Sequence, residues 1–193
     1  VSRGNDVSLE IEEFVKRDRE HWDYRAVRDT AAGVGGIAHK MVEQHIRQKP
    51  INLNLYDKNE VKKAKVAFGA FKRWTKGSKF ELVEAEVSLM SPRHKFGGTL
   101  DSIFIEGKRS IGDWKTASGV YWEGLLQLAA YKELWNENFP DTPIDGECHL
   151  IRFDRDNGDF HHHSWPELDS AWKAFLLMRT LYELKKEISK RAK

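Results

Sequence analysis

GGTLDSIFIEGKRSIGDWKTASGVYWEGLLQLAAY, Gly97 to Tyr131, decides how this chain is read. Two runs of β-branched and aromatic residues, 95–105 and 109–116, flank the tight-turn signal Glu106-Gly107-Lys108. A Leu- and Ala-rich helix over 121–138 follows, stopped by Pro140. Each strand carries an acid where an apolar residue fits better. Residues two apart on a strand share a face, so Asp113 and Lys115 point one way and Trp114 the other. Asp101 lies on the neighbouring strand of the hairpin, within reach of both. Two carboxylates offer hard oxygens suited to Mg2+ or Mn2+. An added ammonium gives the equipment for attacking a phosphodiester, whose transition state gathers negative charge. A bare Asp-x-Lys is more often a surface ion pair. The signal lies in the order: Thr-Leu-Asp, a spacer, Ile-Gly-Asp-Trp-Lys-Thr, then a helix with Gln127 and Tyr131.

Working outward, 3.6-residue periodicity predicts helices over 8–24, 26–48, 59–76 and 167–190. Gly33, Gly35 and Gly36 interrupt the second. A close approach of another backbone, or a helix that begins only at Gly35, accounts for them. Residues 50–57 read as a loop. A strand is expected over 80–90, and a hairpin over 147–153 and 159–165 around Asp154-Arg155-Asp156-Asn157-Gly158. The order predicts an α/β (α+β) chain whose central mixed sheet of about five strands is flanked by helices. No repeat or linker divides it. The expectation is one domain over 1–193: N-terminal helices 1–78, a core over 79–165 and a C-terminal helix 166–193.

The chain has 193 residues, 40% apolar, with seven Trp and ten Phe, enough for a packed core. Thirty-two basic residues against 30 acidic leave a net charge of +2, so overall charge does not mark a nucleic-acid binder. Local clusters matter more: Lys62 and Lys65, Lys72 and Arg73, Arg93 and Lys95. A charge run on a helix is usually a solvated face. The lone Cys148 forms no internal disulfide and reads as a small buried apolar residue. No run is long enough to span a bilayer, and no leader pattern opens the chain. These features point to the cytoplasm, with an organelle left open because the sequence begins at Val1.

Together the blocks resemble the PD-(D/E)XK nuclease superfamily in its RecB-like exonuclease branch. That branch holds phage recombination exonucleases, CRISPR-adaptation nucleases and the mitochondrial genome maintenance exonuclease. Gly98-Thr99-Leu100-Asp101 matches the branch's acid with its lead-in, and Ile111-Gly112-Asp113-Trp114-Lys115-Thr116 matches its D-x-K core. Gln127 and Tyr131 match the helix that follows. The upstream AAGVGGIAHKMVE supplies a His, His39, after a glycine-containing helix start. The resemblance spans about 31–131, with four blocks in family order. It implies a restriction-endonuclease-like core and a divalent-metal-dependent DNA exonuclease of phage or bacterial recombination, repair or processing.

Roles follow from the resemblance residue by residue. Asp101, Asp113 and His39 would ligate Mg2+ or Mn2+, with the Trp114 backbone carbonyl a further ligand. Lys115 would be the catalytic lysine. Gln127 and Tyr131, one helical turn apart, would support it or touch the DNA backbone; ordinary helix packing is the plain reading of both. An acid on the preceding strand is also expected. Glu84 and Glu86 both qualify, on one face by period 2, and Glu86 matches better. The spacer from Ser88 to Gly98 is longer than a minimal hairpin, which places Arg93 and Lys95 at its tip. Lys62, Lys65, Lys72, Arg73, Arg93 and Lys95 are the candidate phosphate contacts. DNA is the implied partner, with a recombinase or single-strand-binding protein as candidate companion. A flap endonuclease with the same site, or a non-catalytic DNA-binding subunit keeping the fold, are the alternatives.

Three other features carry less. Along a strand only His161 and His163 of the His161–His163 run share a face, and no acid or Cys stands near at ligand spacing. Ser118 has no evident base partner. The Gly-Val-Gly-Gly stretch lacks the Lys-Ser/Thr of a phosphate-binding loop.

Overall fold

A computed structural model describes residues 33–116 and 119–192. The predicted helix over 8–24, the residues of the second helix before Gly33, and Ser118 lie outside the described residues. The elements run in the order α1 (Val34–Ile46), a short 3-10 turn (Leu53–Leu55), α2 (Lys58–Gly77), β1 (Glu81–Ser91), β2 (Phe96–Glu106), β3 (Lys108–Lys115), α3 (Trp122–Asn138), β4 (Cys148–Phe153), β5 (Phe160–Trp165) and α4 (Asp169–Arg191). The five strands form one mixed sheet in the order β1-β2-β3-β4-β5. β3 and β4 are parallel and every other pair is antiparallel. The parallel step needs a crossover, and α3 supplies it.

Local signals place these elements. Asp57 caps α2, its Oδ1 accepting from the backbone N–H groups of Asn59 and Glu60 at 2.8 and 3.1 Å. Gly107 takes a φ of +73° and closes the β2–β3 hairpin, a conformation that costs glycine little. α1 begins at Val34 with Gly33 as its N-cap. A Cβ at Gly35 would stand 2.9 Å from Thr116 Oγ1, so this glycine lets the start of α1 lie against the end of β3.

Alternation along β3 and β4 divides the core in two. Trp114 and Ile151 join α1 and α2, around Ile37, Phe71 and Trp74. Ile111, Leu150 and Cys148 join α3, around Leu128 and Leu134. Burying large apolar side chains contributes roughly 1.5–3 kcal/mol each. Trp114 is almost wholly buried against Phe71, Trp74 and Phe153. Its anchoring fixes which face of β3 Asp113 and Lys115 occupy. Burial pushes the Cys148 thiol up to about 11, as suits a core residue.

α4 packs its first half on the β1–β2 tip: Trp172 meets His94 and Phe96, Phe175 meets Phe96, and Arg179 donates to the Lys95 carbonyl. Another stripe of the same helix, Leu177, Leu181, Leu184 and Ile188, is exposed. No helix among the described residues is long and apolar enough to cross a membrane.

Candidate active site

The site forms where β2, β3, α1 and α3 meet. Ser102 pairs with Gly112 across the hairpin, so Asp101 and Asp113 come next to each other one step further along. Both carboxylates are buried, Asp113 completely. Asp101 is held from two sides: Trp114 N–H donates to its Oδ2 at 2.8 Å, and His39 Nδ1 lies 3.6 Å from its Oδ1. Trp114 thus serves the site through its backbone while its ring serves the core.

Lys115 stands on the same face as Asp113. Its Nζ lies 2.6 Å from Asp113 Oδ2 and donates to Gln127 Oε1 at 2.8 Å. Gln127 Nε2 donates in turn to the Tyr131 hydroxyl at 2.8 Å. Gly98, in the lead-in to Asp101, is explained here. A Cβ on it would overlap the Tyr131 ring. The glycine lets α3 settle on β2 with Tyr131 and Gln127 turned toward Lys115.

Glu84 and Glu86 do not share an environment, contrary to simple alternation. The register shift in β1, between Leu82 and Glu84, precedes both; what sets them apart is Glu86 itself, which takes a φ of +54°. Such a backbone costs about 1–3 kcal/mol outside glycine and tends to mark functional sites. Glu84 is exposed. Glu86 lies opposite Asp101, between the pairs Ala85–Ser102 and Val87–Leu100. His39, Glu86 and Asp101 each offer a ligand atom, and these atoms lie within 4.8 Å of one another.

The electrostatics are those of acids gathered in a poorly solvated place. Burial and the Asp101 charge push Glu86 up to about 7. Burial, with the Asp101 charge, also raises Asp113 to about 7, against the pull of Lys115. Burial opposes a charge on His39, but Asp101, Asp113 and Glu86 outweigh it and raise the imidazole to about 9. Burial likewise opposes the Asp101 charge, yet His39, Lys115 and the Trp114 N–H keep its carboxyl below the usual range. Apart from the close Lys115 ammonium, neither buried Asp113 oxygen has a hydrogen bond of good geometry. The crowded hard oxygens and single imidazole of His39, Glu86 and Asp101, with the unpartnered Asp113 Oδ1 close by, fit a divalent cation.

Sequence reasoning missed part of this shell. Lys40 and Glu43, paired at 2.7 Å, border Glu86 from the turn of α1 that carries His39. Their spacings from His39, i+1 and i+4, were the available signal.

The candidate phosphate contacts scatter. Lys62 and Lys65 are exposed on α2. Lys72 lies over the Phe68 ring, 5.1 Å from its centroid. Arg73 donates to the Gly158 carbonyl at 2.5 Å and so ties α2 to the β4–β5 turn. Arg93 and Lys95 sit in the β1–β2 turn, Lys95 with a φ of +56°. In the histidine run it is His162 that turns inward, with His149 Nδ1 2.8 Å from its Nε2. All three histidines are exposed, and His162 alone of them reaches His149 and Trp74.

No protein-family model matches the chain, and no curated protein matches it in sequence. Among solved structures it matches a protein from Eubacterium rectale provisionally named an exonuclease. The TM-score is 0.55 at 13% identity, over 79% of this chain and 66% of that one. The chain therefore spans just under two thirds of that protein's length. At this identity the likeness concerns the fold: a five-stranded mixed sheet flanked by four described helices, similar to that of this exonuclease-named protein.

Proposed function

We propose that this protein is a divalent-metal-dependent deoxyribonuclease, acting as an exonuclease on DNA. One observation carries the reading. The Lys115 ammonium is held between Asp113 and Gln127, beside the cluster of His39, Glu86 and Asp101. An ordinary surface ion pair has no need of buried acids raised to about 7. The fold likeness to an exonuclease-named protein supports the same class.

In this reading His39, Glu86, Asp101 and Asp113 hold Mg2+ or Mn2+. His39 gives up the proton that its acidic neighbours keep on it, and Glu86 and Asp113 ionise fully. The cation supplies positive charge to the scissile phosphate and acidity to the attacking water. Lys115 adds a fixed positive charge for the phosphoryl oxygens as they gain charge. Gln127 orients that ammonium through Oε1, and the Tyr131 hydroxyl fixes the Gln127 amide from behind.

The test is digestion of end-labelled single- and double-stranded DNA with Mg2+, Mn2+ or EDTA, with a closed circle alongside. The expected result is metal-dependent loss of linear strands and survival of the circle. Cleavage of the circle assigns an endonuclease with the same chemistry. No cleavage of any strand with either metal ends the reading.

A further inference from the structure

A groove of about 560 Å3 opens where the 3-10 turn meets the first two turns of α2. Leu53, Tyr56 and Val61 form its apolar part, and Lys58, Lys62 and Lys65 line it with positive charge. The three lysines follow the spacing i, i+4, i+7, so they share one stripe of α2. All three are exposed. Tyr56 is half-buried, packed on the α1–α2 core while it lines the groove. The acids close by are engaged elsewhere. Asp57 caps α2, and a Cβ at Gly33 would lie 3.7 Å from Glu60 Oε1, which places Glu60 against the start of α1.

We infer that this groove binds one nucleotide of single-stranded DNA, its base against Tyr56 and its phosphates along Lys58, Lys62 and Lys65. An apolar surface with an aromatic ring beside a cationic stripe is what a base and its phosphates require. The size suits one such unit. A duplex keeps its bases stacked inside, so only a single strand can present one here. The groove is also joined to the site. The first turn of α2 meets Gly33, and Gly35 meets Thr116, which follows Lys115. His39 lies one turn further along α1. A strand held at Tyr56 is thereby led along the start of α1 toward Lys115. The nature of the occupant rests on the nuclease reading; the groove and its charge do not.

The test is fluorescence anisotropy with a labelled 12-mer of thymidylate in EDTA, where no strand is cut. Replacing Tyr56→Ala should weaken binding roughly tenfold, while Tyr56→Phe, which keeps the ring, stays near wild type. Lys62→Ala should reduce the slope of log affinity against log salt by about 0.7. A blunt duplex should bind Tyr56→Ala and wild type alike. The inference is overturned if Tyr56→Ala, folded by its thermal melt, binds the 12-mer as wild type does, or loses the duplex equally. Should Tyr56→Ala fail to fold, photocrosslinking of an iodouracil-substituted 12-mer to wild type decides: a crosslink on the Tyr56 peptide supports the groove, and crosslinks confined elsewhere remove it. The two readings fail separately. The expected binding pattern in a protein that cuts nothing with Mg2+ or Mn2+ keeps the groove and ends the nuclease. Normal cutting with no effect at Tyr56 does the reverse, and a wild type that does not bind the 12-mer removes the groove, while the nuclease reading stands or falls on the cleavage assay.

Discussion

Lys115 donates to Gln127 across 2.8 Å, so the ammonium belongs to α3 as much as to β3. Asp113 alone would let the lysine swing with its strand. A second partner on a packed helix fixes where the charge sits. Misplacing a catalytic group by about 1 Å can cost on the order of 100-fold in rate. Gln127→Leu should therefore lower kcat by about 10- to 100-fold and leave metal affinity unchanged. Tyr131→Phe, which removes the oxygen that accepts from Gln127 Nε2, should have a smaller effect of the same kind. Single-turnover rates beside metal titrations check this. A loss confined to metal affinity would show that Gln127 serves the cation rather than the lysine.

Gly98→Ala tests the same relay from the other side. The added methyl would overlap the Tyr131 ring, so either the ring or the strand moves. Overpacking of this kind costs about 1–3 kcal/mol. The expected variant is folded, melts several degrees lower and cuts DNA more slowly. Pairing it with Tyr131→Leu, which shortens the obstructing side chain, should recover much of the melting temperature and little of the rate. Recovery of both would mean that Tyr131 fills space and does not position Gln127.

The cluster of His39, Glu86 and Asp101 makes a prediction about metal. Glu86→Ala should weaken Mn2+ binding by at least about tenfold, whereas Glu84→Ala should leave it alone. Titration calorimetry on folded protein without DNA reads this directly. Equal losses from both variants would mean that the cation draws on β1 generally and not on the residue opposite Asp101.

The hairpin of β2 and β3, the face shared by Asp113 and Lys115, and the inward-facing Trp114 all follow from period 2, and so were legible in the sequence. The element order was legible too, because Gly, Pro and Asp stand at the turns and caps. Tertiary geometry carries the rest. The left-handed backbone at Glu86 leaves no periodic trace, so alternation alone could not foresee that Glu84 is exposed while Glu86 is half-buried beside Asp101. Gly98 could be seen as part of a motif, but its reason is the ring of a residue 33 positions on. Arg73 looked like any basic residue on a helix. Its bond to Gly158 depends on how α2 lies against the β4–β5 turn, which no local pattern encodes.

The imidazoles of His149 and His162 predict how stability depends on pH away from the cluster of His39, Glu86 and Asp101. Trp74 Nε1 donates to His162 Nδ1 at 3.4 Å. That leaves the His162 proton on Nε2, which faces His149 Nδ1 at 2.8 Å. The bond joins two neutral rings, and a proton added to His149 Nδ1 would set two N–H groups against each other. Burial, and then the neighbouring His162, push His149 down to about 4; burial also lowers His162. In the unfolded chain each imidazole takes a proton near about 6.5. The folded form binds fewer protons between these values, so the contribution of the pair is complete above about 6.5 and is lost as pH falls toward 4. Carboxylates such as Asp101 also titrate at the acid end, so the useful quantity is the difference between wild type and His149→Phe/His162→Phe. Thermal melts in EDTA from pH 7.5 to 4.5 should show the variant losing less stability than wild type over that interval. Curves that stay parallel throughout would mean that the two histidines keep ordinary protonation, and that the short contact between them contributes nothing to the acid sensitivity of the fold.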